Sequence, residues 1–132
     1  MQIRHDPTGE RRLRRSNDTM TALHYQLAFA RHEGGLEALV LADAAGCLVA
    51  GAGAWPTCEM LAAYAPLLVD RATILNDTLA SSVSSLAQSV NVRPVSVDGS
   101  EVFLCARGGG DLVATCMDRA ASGCRRILRG EA

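Results

Sequence analysis

The sequence predicts an α+β fold, a central five-stranded and mostly antiparallel sheet with helices on both faces. Three observations carry this. Apolar residues switch along the chain between helical three-and-four spacing and short, near-continuous runs of strand length. Neighbouring runs are joined by short Asp/Gly turns, which make hairpins and therefore antiparallel pairs. A chain of 132 residues with 48% apolar residues is long enough for one domain with a core of its own.

The predicted order is α-β-β-α-β-β-β-α. Residues 1–15 hold Pro7, Gly9 and an arginine cluster with few apolar anchors, and read as a flexible tail before a single domain over 16–132. Ser16, Asn17 and Asp18 offer caps for a first helix, in which Met20, Leu23, Leu27 and Ala30 form the apolar stripe. Gly34 and Gly35 end it. Residues 37–43 and 47–53 read as a hairpin through Ala44, Ala45 and Gly46, and their continuous apolarity places them in the middle of a sheet. Thr57 reads as the cap of a second helix, with Glu59 in its first turn. Its stripe runs through Met60, Leu61, Tyr64, Leu67, Leu68, Ile74 and Leu75. Pro66 predicts a kink or a restart there, and Leu79, Val83, Leu86 and Val90 keep the period. Asp98 and Gly99 mark a tight turn between strands over 91–97 and 101–106. The glycines at 108, 109 and 110 read as a second reversal into a fifth strand over 111–117, before a closing helix over 119–129.

Composition excludes several functions. All 13 basic side chains counted as Lys or Arg are arginines, so a Walker A lysine and Schiff-base chemistry are ruled out. Residues 1–15 carry five arginines against Asp6 and Glu10, a net +3 that leaves the remainder at −4 within a total of −1. An acidic body is a poor nucleic-acid surface. No apolar run approaches the ~18 residues of a membrane span, and nothing reads as a secretory signal. Five cysteines without a C-x-x-C pair fit neither a zinc pattern nor a disulfide framework. The expectation is a cytoplasmic protein with reduced thiols, no metal and no cofactor.

The element order, the turn built on Asp43, Ala44, Ala45 and Gly46, the helix start at Glu59 to Ala65 and the stretch Asp111 to Ala114 together resemble the roadblock (dynein light chain) family. The resemblance covers most of the chain from Asp18 onward; Pro66 and Pro94 depart from the family pattern. It implies a profilin-like roadblock/longin architecture and a homodimeric, non-catalytic platform for a small Ras-like GTPase, acting as regulator or scaffold. It also implies that the GTPase meets the exposed flank of the long second helix, where polarity singles out Glu59, Asp70 and Arg71. Arg71 reads as a surface ion-pair partner before an arginine finger. The lysine-free, alanine-rich composition suits a bacterial source.

Two features favour a dimer. The strand over 91–97 leads a meander and lies at a sheet edge, which invites pairing. The second helix has more apolar positions than one small sheet face covers. Tyr64, Leu68, Val92, Val95 and Val97 are the residues expected at that interface.

Other chemistry is weighed against simpler readings. Cys58 near a helix start has the dipole that lowers a thiol pKa, with His24 or His32 as a base, which would make a thiol enzyme; a packed, inert cysteine is the better reading. Arg107 to Asp111 offers backbone N–H groups to an anion, yet a hairpin turn explains it more simply. Trp55 reads equally as a staple of the helix entry and as an interface anchor. A small-molecule sensor of the PAS or GAF kind shares the central antiparallel sheet, but 4% aromatic residues fits a ligand pocket poorly.

Overall fold

The computed structural model describes the backbone of residues 7–69 and 90–130, and the side chains of residues 18–68 and 90–130. The first helix, α1 (Pro7–Gly34), begins earlier than its expected caps at 16–18. Proline suits a first helical position, because its φ is already helical and its missing N–H would have no intrahelical partner. The arginine-rich segment therefore has helical backbone from Pro7 on. Gly35, at φ 61°, ends the helix as expected.

Strands β1 (Leu36–Asp43) and β2 (Leu48–Ala52) form the predicted hairpin. Its turn is closed by the Asp43 carboxylate, which accepts the N–H groups of Ala45 and Cys47 at 2.9 Å each. Helix α2 (Trp55–Val69) starts before Thr57, and the Cys58 N–H donates to the Ala54 carbonyl. Thr57 is thus inside the helix, and Glu59 lies beyond its first turn. The helix runs through Pro66 to Val69, and the proline removes the donor that the Ala62 carbonyl would otherwise receive. The expected continuation over 76–89 lies outside the described residues.

Strand β3 (Val90–Val97) takes in Val90, which periodicity assigned to the helix, and pairs with β4 (Ser100–Gly108). Asp98 (φ 50°) and Gly99 (φ 83°) make the tight turn between them. The chain then departs from expectation. Residues 111–117 are not a strand: helix α3 (Val113–Leu128) begins there, absorbing the closing helix expected from residue 119. The described residues therefore form four strands rather than five. Gly108 (φ 85°) and Gly109 (φ 87°) turn the chain out of the sheet. The burial of Val113, Cys116, Met117, Ala120, Ala121 and Cys124 then follows helical period without interruption.

The sheet has the order β2-β1-β4-β3, with antiparallel neighbours throughout. Alternation sorts its side chains into two cores. Leu39 and Leu41 of β1 and Leu104 and Ala106 of β4 pack with Leu23 and Leu27 of α1 and Met117 and Cys124 of α3. Ala38, Val40 and Ala42, with Phe103 and Cys105, face α2 through Cys58, Leu61, Ala65 and Leu68. The register that pairs Leu41 with Leu104 and Val40 with Cys105 keeps each set on its own face. On the first face α1 and α3 run antiparallel, because Cys116 Sγ donates to the Ala30 carbonyl at 2.9 Å while a Cβ on Gly123 would run into Gln26.

Candidate functional site

The features with enzymatic potential separate rather than converge. Cys58 is fully buried against Gly51 and Val40 in the α2 core. Burial pushes its thiol up, and the Arg31 charge only partly opposes this. His24 Nδ1 instead lies 3.2 Å from the Gly51 carbonyl oxygen, on the edge strand. His32 is exposed at the end of α1. No hydrogen bond joins either histidine to Cys58, so the nucleophile and base of a thiol enzyme are not assembled. Among the described residues no three His, Cys, Asp or Glu side chains gather as a metal set.

The glycine run, expected to link two strands, leads into α3 instead. Its geometry is explained by packing. A Cβ on Gly109 would lie 2.4 Å from a Val113 methyl and 2.6 Å from a Leu36 methyl, so the helix start closes directly over the loop.

What remains is surface. The sheet has two edge strands among the described residues, β2, which was expected in the middle of the sheet, and β3, whose far edge has no partner strand. Pro94 sits on this edge strand, the place in a sheet where proline is tolerated. Val92 and Val97 are half-buried there, on opposite faces. On α2, Glu59 is exposed and Tyr64 half-buried. Asp70 and Arg71 lie outside the described residues. Two expected interface residues are already covered within the chain. Leu68 is 3% exposed in the α2 core, and Val95 is 0% exposed in the opposite core, on the strand that packs under α3. Trp55 is 56% exposed at the head of α2, so it does not staple the helix to the core. The sequence reading gave no role to Tyr25 and Phe29, which are 75% and 62% exposed on α1. The signal was available, since both fall off the stripe formed by Leu23, Leu27 and Ala30.

No family model matches the chain, and no curated protein sequence matches it. Solved structures do. The gliding protein MglB from Thermus thermophilus superposes with a TM-score of 0.57 at 19% identity, over 85% of this chain and 92% of that one. MglB of Myxococcus xanthus gives a TM-score of 0.55 at 11% identity, over 98% of this chain and 96% of its own. At these identities the likeness is one of fold, and it spans nearly the whole of each molecule. The chain is built on the fold of these MglB proteins, an antiparallel sheet with helices on both faces as the sequence predicts, although its described residues form four strands rather than five and so depart from the predicted order.

Proposed function

We propose that this chain is a homodimeric, non-catalytic platform that binds a small Ras-like GTPase and regulates or scaffolds it. The observation that carries the reading is the near-full-length likeness to MglB, joined to the GTPase role that the roadblock resemblance implies. The geometry suits it. Among the described residues α2 is the one helix on its sheet face and the edge of β3 is open, so a two-fold axis there would continue the sheet and set two α2 helices side by side. Glu59, exposed on α2, and Asp70 and Arg71 beyond its described end are the residues we assign to the GTPase contact. The test is direct binding of the purified protein to a small Ras-like GTPase from the same cell, loaded in turn with GDP and with a non-hydrolysable GTP analogue. Nucleotide-dependent binding that Glu59→Arg weakens supports the platform; no binding in either state overturns it.

A further inference from the structure

We infer that the face formed by α1 and α3 is a second docking surface, whose occupant is an acidic amphipathic helix of a partner protein. It lies on the opposite side of the sheet from α2 and does not depend on the GTPase reading.

The first observation is where the aromatic residues are. The chain has five, and Tyr25 and Phe29 stand exposed one turn apart on the outer side of α1. Phe29 forms one wall of a solvent-open groove of about 490 Å³. Its other wall is α3, through Asp118, Arg119, Ser122 and Arg126, with Gln26 on the α1 side. Large apolar side chains beside a concave surface are what an interface anchor looks like in the free protein.

The second observation is charge. Arg119, Ser122 and Arg126 are exposed along a single stripe of α3, at spacings of three and four, and the exposed Arg129 follows at its C-cap. Of the carboxylates that flank the groove, Asp118 is paired with Arg93 and Glu33 with Arg119, while Asp18 stands exposed two turns before Tyr25. Arg126 and Arg129 have no carboxylate partner among the described residues. The groove therefore has Phe29 on one wall and, on the other, an α3 surface whose cations without a carboxylate partner among the described residues are Arg126 and, just past the helix, Arg129.

The complement is a rod with apolar residues one turn apart and carboxylates two turns apart, since Arg126 and Arg119, whose 3.4 Å pair with Glu33 is solvent-exposed and exchangeable, are separated by about 10 Å of helix rise. Concavity favours such a rod over a flat lipid surface. A second copy of this face would set the same arginines against each other.

The probe is a synthetic peptide helix with leucines one turn apart and glutamates two turns apart, followed by fluorescence anisotropy against full-length protein. A control peptide carries lysine in place of each glutamate. Phe29→Ala and Arg126→Glu should each weaken the glutamate peptide by about tenfold, with melting temperatures unchanged because both side chains are exposed. Arg126→Glu should also bind the lysine peptide better than the wild type does. Equal binding of the glutamate peptide by wild type and variants, or no binding by the wild type, overturns the proposal. So does binding confined to phosphatidylglycerol vesicles and lost in the same variants, which would make the face a lipid contact. Phe29→Ala should still bind the GTPase, so failure of this inference and failure of the platform reading are separable.

Discussion

Arg93, on the edge strand β3, is ion-paired with Asp118 on α3, so this edge of the sheet is tied to the helix layer rather than left to the hairpin alone. Both side chains are substantially exposed, and solvent screens such pairs to a median of about 0–1 kcal/mol. A double-mutant cycle of Arg93→Ala and Asp118→Ala, read by urea unfolding, should give a coupling below about 1 kcal/mol. A larger value would show that the edge strand depends on this link.

The loop that opens α3 makes a sharper prediction. Gly109→Ala introduces a Cβ at a φ of 87° that also clashes with Val113 and Leu36. Strain and overpacking together should cost about 2–4 kcal/mol. Gly110→Ala is the matched control: its φ is not in the left-handed region and nothing lies within 4 Å of the new atom. It should change stability by less than about 1 kcal/mol, in either direction. Equal effects at both positions would mean the turn is not held as described.

These glycines also show what the sequence makes legible. The turn at Asp98 and Gly99 is readable because few residue pairs tolerate two successive left-handed conformations. The fifth strand was a misreading because Val113 to Met117, taken alone, is a short apolar run that suits either state. Only continuation past the exposed Asp118 to Ala120, Ala121 and Cys124 reveals the period. The site was partly legible for a similar reason. Tyr64 and Leu68 lie one turn apart and look alike to periodicity, yet the reach of the sheet beneath α2 buries Leu68 and leaves Tyr64 half open. How far a sheet extends under a helix is a tertiary property that no local pattern contains.

Four of the five cysteines are buried, and Cys47 is exposed. Burial pushes Cys105 and Cys124 from the ordinary 9.0 up to about 12. Native thiol titration should therefore show one fast group, and titration after denaturation all five. The sign of the pH dependence follows. Between about pH 9 and pH 12 the unfolded chain loses these protons and the folded chain keeps them, so stability falls as pH rises. The slope approaches about 1.4 kcal/mol per pH unit for each thiol. Urea midpoints should drop above pH 9 in the wild type and drop less in Cys105→Ala and Cys124→Ala.

The expectation that residues 1–15 are dispensable for folding, although the backbone is helical from Pro7, has a direct test. Residues 1–15 hold few apolar side chains to offset the entropy of ordering them, so deleting them should lower the melting temperature by less than about 4 °C, the equivalent of roughly 1 kcal/mol in a domain of this size. A fall beyond about 10 °C would make the first turns of α1 part of the folding unit.

The dimer prediction turns on which residues have surface left to share. Leu68 and Val95 are closed within the chain, so Leu68→Arg or Val95→Arg would bury an unpaired charge and unfold the subunit. Loss of the dimer in those variants would carry no information about the interface. Tyr64, Val92 and Val97 are half-buried, and Val97 lies at the end of the open edge strand. Tyr64→Arg and Val97→Arg should each leave the circular dichroism spectrum of a folded domain while separating the subunits. Light scattering should give twice 13.9 kDa for the wild type and 13.9 kDa for the variants. Pro94 removes one donor from any ladder that β3 forms across a two-fold axis. The helices should then supply most of the stabilisation, and Tyr64→Arg should shift the equilibrium further than Val97→Arg. A wild-type protein that stays at 13.9 kDa at every accessible concentration would remove the dimer, and with it the shared α2 surface on which the GTPase is proposed to dock.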